Sequence, residues 1–229
     1  MSPLSVLLLS SLLPGVAAQE TAEVAATPRI LLTGHYAESV KAPGEWLALR
    51  CTGASTCTLE PANVIVASVG SGSIVSVEGE PALALLQNLQ PGEVSAAHTT
   101  PQPLPRYTSI KLGSGLRLVA DGQDGYRLML SEHGLAQPVL ELSSTQGTPS
   151  LRFAGDLDGD GQLDLIVDAT GQKEQYVSLL LLSSFAPEGD KLVQVDRFSA
   201  RIPLPSVDPA PPLLRQEVNL GTLGTTEGE

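Results

Sequence analysis

Apolar and polar residues alternate in short runs along most of the chain, and Gly, Pro and polar clusters separate one run from the next. The clearest alternation is Trp46–Cys51, where Trp46 and Ala48 would point to one side of a strand and Leu47 and Leu49 to the other. Short runs at this spacing are typical of the antiparallel strands in sandwiches, barrels and propeller-like sheets. The pattern therefore predicts an all-β fold of antiparallel sheets, either a sandwich or an incomplete propeller-like arrangement.

The predicted strands share apolar or alternating residues and end at turn-forming residues. They are residues 30–32, 46–51, 63–69, 73–77, 116–120, 126–130, 138–142, 151–153, 165–167, 176–182 and 191–198. Residues 70–72 are predicted to form a turn, and residues 121–125 a hairpin loop. Pro81–Leu89 fits either one or two helical turns or a strand, because it contains good helix formers but is short and bounded by Pro and Gly.

Changes in composition predict the domain organisation. Residues 29–202 form one β-rich domain, in which a Pro-rich connector at 98–106 could divide an N-terminal sheet from a C-terminal one. Residues 19–28 are rich in Ala, Thr and Glu and are predicted to be a flexible lead-in. Residues 203–229 are rich in Pro and Gly, and we expect most of them to be disordered because they lack apolar surface to offset the entropy of ordering.

The N-terminus has the features of a targeting segment. Leu4–Leu13 is almost wholly apolar, and small residues at Val16-Ala17-Ala18 precede Gln19. This pattern predicts a secretory signal peptide at residues 1–18, with cleavage before Gln19. A membrane anchor is the alternative, but an apolar run of about ten residues is too short to cross roughly 30 Å of hydrocarbon. We therefore expect an exported protein of bacterial type, periplasmic or extracellular, with no membrane span after signal cleavage.

The two cysteines agree with export. Cys51 and Cys57 are separated by five small, turn-prone residues. In an oxidising compartment such a pair closes easily into a disulfide, which is the predicted state. Two free buried thiols are the alternative. A zinc site is a poorer interpretation, since no nearby His or further Cys would complete it.

The net charge of the chain restricts the classes of partner that it could bind. The chain has 229 residues with 25 acidic and 13 basic side chains, and its formal net charge is −12. Nucleic-acid binding and docking on anionic lipid both need a basic face, so this balance argues against both. A partner, if there is one, would be another protein. The length is sufficient for a substantial hydrophobic core.

The strongest chemical signal lies at residues 155–168. Asp156, Asp158, Asp160 and Asp164 stand at positions 1, 3, 5 and 9 of a loop. Hard oxygen ligands in this number suit Ca²⁺ rather than a transition metal. Carboxylates about 6 Å apart repel by roughly 2–3 kcal/mol per pair at an effective dielectric constant near 20, and a divalent cation would relieve several pairs at once. A solvated Asp-Gly turn without metal is the alternative.

Other residues of the segment indicate the kind of loop. Gly161 at position 6 permits a sharp turn, and Gln162 at position 7 can offer its backbone carbonyl. An EF-hand would need a bidentate Glu at position 12, but Val167 stands there. Residues 165–167 also favour a strand over an exiting helix. The loop is therefore predicted to join two strands.

The segment Phe153–Val167 resembles an FG-GAP repeat of the integrin-alpha type, which also occurs in bacterial VCBS-repeat proteins. In that family the loop connects two strands of a propeller blade and binds Ca²⁺. The resemblance covers a short part of the chain and occurs once, so it implies a secreted β-protein with a single repeat. The calcium ligands that it implies are the side chains of Asp156, Asp158, Asp160 and Asp164 and the carbonyl of Gln162.

The function expected from these features is that of an exported calcium-binding β-protein acting as a binding or structural module. The metal would stiffen the loop and set the register of the adjoining strands, and no catalytic residue is predicted. One alternative is a small periplasmic hydrolase using Asp or Glu residues, recognisable by a deep polar pocket with carboxylates of perturbed pKa away from residues 156–164. Another is a partner-binding subunit, which a contiguous exposed apolar patch would favour.

Overall fold

The computed structural model describes residues 26–203, apart from residue 114 and residues 123–125, 143–147 and 170–174. The predicted signal peptide at 1–18, the lead-in up to residue 25, the tail from residue 204 and the centre of the hairpin loop at 121–125 lie outside the described residues. The described ranges contain 17 strands and no helix. Every strand pair is antiparallel, which confirms the all-β prediction. Within these ranges, nothing helical is long and apolar enough to cross a membrane.

The strands are short, and most begin or end at the Gly, Pro and polar clusters of the sequence. They are β1 Arg29–Leu31, β2 Gly34–Tyr36, β3 Trp46–Cys51, β4 Thr56–Ala62, β5 Val64–Val69, β6 Gly72–Val77, β7 Ala84–Gln87, β8 Gly92–His98, β9 Gln102–Pro103, β10 Ser109–Lys111, β11 Leu116–Asp121, β12 Tyr126–Glu132, β13 Leu135–Leu142, β14 Ser150–Asp156, β15 Asp164–Asp168, β16 Gln175–Leu182 and β17 Val193–Arg201.

Ten of the strands form one sheet that curls into a nearly closed barrel. Its order is β1-β7-β3-β4-β8-β14-β15-β16-β17, with β9 also paired to β14. The two edge strands, β1 and β17, come together, because the Ile30 N–H donates to the Asp196 carboxylate at 2.7 Å. Next to this contact, the Ala37 N–H donates to the Arg201 carbonyl at 2.8 Å. Side-chain and loop hydrogen bonds thus bring the two edges of the sheet together.

The barrel interior is a core of large apolar side chains that includes Leu49, Leu59, Phe153 and Ile166. Strand β3 alternates as predicted: Leu47 and Leu49 belong to this core, while Trp46 and Ala48 belong to a separate cluster.

Two smaller sheets cover outer faces of the barrel. The sheet β10-β11-β12-β13 packs Leu118 and Leu128 against Leu165 and Leu179 of β15 and β16. Strands β15 and β16 are therefore covered on both faces. Two-sided burial explains why Leu179–Leu182 is an unbroken apolar run rather than an alternating one.

The sheet β2-β6-β5 packs on the β1-β7-β3 part of the barrel. Tyr36 and Val75 from the small sheet meet Trp46 and Leu85 from the barrel in a third core cluster. Each of the two small sheets thus buries an apolar face that the barrel alone would leave exposed.

The structure shows the position of two segments whose sequences allow more than one interpretation. Pro81–Leu89 contains β7, which lies between β1 and β3, so the strand interpretation is right and the helical one wrong. Pairing on both sides outweighs the helix propensity of its Ala and Leu residues. The connector at 98–106 contains the end of β8 and all of β9, and the next strand, β10, belongs to the separate four-stranded sheet. The chain later returns to the barrel sheet at β14, which pairs with both β8 and β9.

The predicted disulfide is present. Cys51 at the end of β3 and Cys57 in β4 stand opposite each other in the register, with their sulfurs 2.04 Å apart. The bond closes the short loop of this hairpin, next to the barrel core in which Cys57 is buried.

Candidate metal centre

The acidic loop lies at one end of the barrel, between two central strands. Asp156 is the last residue of β14 and Asp164 is the first residue of β15. The two strands pair with Gly155 opposite Asp164. The prediction that this loop joins two strands, rather than the helices of an EF-hand, is therefore confirmed.

Three carboxylates of the loop converge. Asp156, Asp158 and Asp164 each offer one oxygen, and these oxygens all lie within 4.8 Å of one another. At that separation, carboxylates repel by roughly 3 kcal/mol per pair at an effective dielectric constant near 20. The group could hold a metal ion, and its donors are hard oxygens.

Asp156 organises the loop backbone. Its carboxylate accepts the N–H of Gly159 at 2.8 Å and that of Gly161 at 2.9 Å. Both glycines have left-handed backbones, with φ of +81° and +80°, which glycine adopts at no steric cost. This agrees with the turn predicted at Gly161.

Asp164 is completely buried and accepts three hydrogen bonds. The Leu157 N–H donates at 2.7 Å, and the Ser183 N–H and hydroxyl donate at 2.8 and 3.0 Å. Burial raises the pKa of Asp164 to about 7, although the hydrogen bonds from Ser183 and Leu157 act in the opposite direction. The nearby Asp158 carboxylate adds to the rise. A bound cation would favour the ionised form of the group.

Asp160 does not belong to the close group. Its carboxylate instead accepts the Ser183 hydroxyl at 2.9 Å and the Gln162 N–H at 2.7 Å. Of the five ligands that the sequence predicts, the structure thus brings together Asp156, Asp158 and Asp164. Asp160 and Gln162 contact each other beside that group.

Two serines that no sequence motif indicates lie beside the acidic loop. Ser183 and Ser184 directly follow β16, and their hydroxyls donate to the loop carboxylates. The one hydroxyl proton of Ser183 is shared between Asp160 and Asp164, and the Ser184 hydroxyl donates to Asp158. In the sequence, these serines are recognisable only as a pair of hydroxyl residues directly after an apolar strand. Nothing in their spacing connects them to the acidic loop. Through them the end of β16 is fastened to the loop between β14 and β15.

The loop is also anchored by an apolar side chain. Leu157, the residue after Asp156, is buried in the barrel core. The loop is thus fixed at Leu157 and Asp164, whereas Asp156 and Asp158 are partly exposed and Asp160 is exposed.

Neither of two clefts in the described part of the chain has the features expected of the hydrolase alternative. The larger, of about 960 Å³, is lined by a single carboxylate residue, Glu45. The smaller, of about 360 Å³, adjoins the loop itself and is lined by Asp156 and Glu132. Glu132 is paired with Lys191 at 2.6 Å. Neither cleft therefore offers a pair of carboxylates away from the acidic loop.

In comparisons with known proteins, the chain matches no family model, no curated protein and no solved structure. The resemblance to an FG-GAP repeat rests on residues 153–167 alone.

Proposed function

We propose that the chain is an exported calcium-binding β-protein in which Asp156, Asp158 and Asp164 hold Ca²⁺, as the resemblance to an FG-GAP repeat implies. The observation that carries the proposal is the convergence of three carboxylate oxygens within 4.8 Å. The protein would act as a structural or binding module, with the metal stabilising one end of the barrel.

Calcium is favoured by the kind of donor and by the loop. All the converging donors are carboxylate oxygens, which suit hard cations rather than Zn²⁺ or Cu²⁺. Mg²⁺ demands a tight octahedral shell and gives up its waters reluctantly, whereas Ca²⁺ tolerates the irregular geometry of a glycine-containing loop. Export is supported by the Cys51–Cys57 disulfide, because disulfides persist in oxidising compartments.

The metal would act on three strands at once. Asp156 ends β14, Asp164 begins β15, and the serines at the end of β16 hold the same carboxylates. A cation between these carboxylates would replace their repulsion with attraction and fix the ends of the three strands. At a free concentration 100 times its dissociation constant, it would add about 2.7 kcal/mol to the free energy of unfolding.

The test is calorimetric titration of Ca²⁺ into the chelator-treated chain, with thermal melts in chelator and in Ca²⁺. We expect binding and a higher melting temperature with Ca²⁺, and a weaker response to Mg²⁺. Asp158→Asn should lose most of the response, because it removes a charged ligand while keeping the shape of the side chain. Asp190→Asn, at an exposed aspartate in the turn after β16, is the matched control and should respond like the wild type.

Two results would count against the proposal. One is the absence of heat and of any change in melting temperature at millimolar Ca²⁺. The other is an equal loss of response in Asp158→Asn and Asp190→Asn, since that would show a general charge effect rather than a site.

A further inference from the structure

Strand β5 is a free sheet edge. It pairs with β6 along Val64–Val69 and with no strand of the described residues on its other side. One side of its backbone therefore presents N–H and C=O groups that another strand could pair with.

The other edges of the described sheets are guarded, in that they have features that hinder pairing with another strand. Strand β9, which pairs with β14 alone, has two residues and includes Pro103. Strand β13 contains Pro138 and Glu141 and has a register shift against β12. Strands β2 and β10 have three residues each, and β10 ends at Lys111. Strands β1 and β17 face each other where the barrel sheet closes. In contrast, β5 has six residues, an unbroken register with β6, and neither a proline nor a charge. Such an edge is a template for pairing with another chain.

The side chains of β5 are apolar apart from Ser68, and those from Ile65 to Val69 are exposed. Ile65 is 44% exposed, Val69 45% and Ile74 of β6 38%. The register places Ala67 opposite Ile74, so these four residues share the outer face of the small sheet. Val66 on the inner face is also 36% exposed, which shows that the edge extends beyond the core beneath it.

The lack of charged side chains indicates which kind of partner strand would suit the β5 edge. Residues 61–77 contain no charged side chain, although the whole chain has a net charge of −12. Two copies of so acidic a chain repel each other over most of their surfaces. In a two-fold symmetric contact, each residue near the axis meets its own counterpart, so any charge there would face a like charge. An uncharged edge is therefore suited to a second copy of the same chain.

We propose that β5 pairs antiparallel with β5 of a second copy, about a two-fold axis at Ala67. In this register Ala67 faces Ala67 of the second copy, Ile65 faces Val69, and Val66 faces Ser68. Each pair then lies on one face of a continuous sheet, as the alternation of side chains requires. The two three-stranded sheets become one six-stranded sheet, and the most exposed apolar side chains of the edge, Ile65 and Val69, pair with each other. An axis at Val66 would instead place Ile65 against Ala67 and leave Val69 without a counterpart on the strand.

A contact through one strand from each copy lies at the small end of specific interfaces, below about 1,200 Å². The association is therefore reversible and depends on concentration. Sedimentation equilibrium of the full exported chain over a wide range of concentration should show a mass that rises from one copy toward two. Ala67→Lys should remain a single copy, because it places two lysines at the axis and a charge on the edge.

Ala136→Lys is the matched control, since Ala136 is an exposed alanine on the guarded edge strand β13. It should associate like the wild type. The proposal is overturned by a wild type that remains a single copy at every concentration, by an Ala67→Lys variant that still associates, or by an equal loss in the two variants. A mass that grows beyond two copies overturns it as well, because symmetric edge pairing closes at two.

Cysteine substitution tests the register without depending on the lysine variant. Directly opposed residues of antiparallel strands have Cα atoms about 4.5–5.5 Å apart, within the span of a disulfide. Under mild oxidation, Ala67→Cys should form a covalent dimer far faster than Ser68→Cys, whose counterpart would be Val66. Equal rates for the two variants, or a faster rate for Ser68→Cys, would exclude the Ala67 axis.

Discussion

The guanidinium of Arg152 on β14 holds the carboxylate of Asp168 on β15 with two nitrogens: Nη2 lies 2.6 Å and Nε 2.9 Å from Oδ2. Their side chains are only 17% and 9% exposed. Arg152 also donates to the Leu83 carbonyl at 3.2 Å, which links β14 to the segment that leads into β7. Asp168 stands one position past the place where an EF-hand needs its glutamate. Its role here is to pair with an arginine rather than to bind a metal in the loop.

Asp168→Asn should lower the free energy of unfolding by about 3 kcal/mol, because it leaves the Arg152 charge shielded from water without its partner. Glu141→Gln is the control. It breaks the Arg127–Glu141 pair, whose side chains are 54% and 62% exposed, and should cost less than about 1 kcal/mol. Urea unfolding measures both, and similar losses in the two variants would contradict the interpretation.

Loss of the disulfide should destabilise the chain measurably. For a loop as short as that between Cys51 and Cys57, the chain-entropy model gives about 2 kcal/mol. The double variant Cys51→Ala/Cys57→Ala should therefore unfold at lower urea concentration than the wild type. Reductant should shift the wild type in the same direction and leave the double variant unchanged. A wild type that reductant does not affect would show that the bond contributes nothing to stability.

Gly155 marks a close approach of two strands beside the acidic loop. A Cβ at this position would lie 2.3 Å from the Ser95 carbonyl oxygen and 2.9 Å from the Ala96 Cα, both in the paired strand β8. Gly155→Ala should thus force the backbones apart and cost about 1–3 kcal/mol. Gly53→Ala is the control, since a Cβ there would meet no atom within 4 Å. Thermal melts compare the two, and a melting temperature of Gly155→Ala equal to that of Gly53→Ala would contradict the steric argument.

The local pattern of apolar and polar residues predicts many of the strands, but it does not predict how the barrel sheet closes. Alternation identified β3 because one face of the strand meets the barrel core and the other meets the cluster around Trp46. The local sequence of Pro81–Leu89 does not decide between helix and strand, because the strand forms through pairing with β1 and β3, which are distant in sequence. The barrel sheet closes where β1 meets β17, through the hydrogen bond from the Ile30 N–H to the Asp196 carboxylate. These two residues are 166 positions apart in the sequence.

The local sequence is likewise insufficient to predict all contacts of the candidate metal centre. The spacing of the aspartates predicted a loop that gathers carboxylates, because those residues are close in sequence. It did not predict that Asp160 contacts Ser183, 23 positions away, or that Ser184 contacts Asp158, 26 positions away. Such contacts arise because β16 runs antiparallel to β15 and ends beside the loop.

Tyr126 should give the stability of the protein a specific dependence on alkaline pH. Burial raises the pKa of the Tyr126 phenol from 10.0 to about 12, and Arg106 opposes the rise. Between pH 10 and pH 12 the unfolded chain therefore loses a proton that the folded chain keeps. The folded state binds more protons in this window, so the free energy of unfolding falls as the pH rises through it.

Tyr126→Phe should reduce that slope. At neutral pH the variant should also lose about 1 kcal/mol, because the phenol donates a hydrogen bond to the buried Leu104 carbonyl. Burial raises the pKa of Tyr36 as well, so the slope should be reduced rather than abolished. Urea midpoints measured at successive pH values test this, with Tyr107→Phe as control because Tyr107 is 70% exposed. Identical slopes in the wild type and Tyr126→Phe would show that this phenol does not titrate as described.

Ser183 should set the calcium affinity of the proposed centre without being a ligand. Its hydroxyl lies 3.0 Å from the Asp164 carboxylate and 2.9 Å from that of Asp160, so its one proton is shared between the two, and its N–H also donates to Asp164. Residues that orient metal ligands in this way typically contribute 10–100-fold to affinity. Ser183→Ala keeps the backbone donor, so it should weaken Ca²⁺ binding by about that factor rather than abolish it.

Calorimetric titration of Ser183→Ala, Asp158→Asn and an exposed control, Ser199→Ala, separates the roles of these residues. We expect Ser199→Ala to bind like the wild type, Ser183→Ala to bind more weakly, and Asp158→Asn to lose most of its binding. If Ser183→Ala binds like the wild type while Asp158→Asn does not, the metal centre stands but the serine does not orient it. If all three bind equally, the loop carboxylates are not the site of binding.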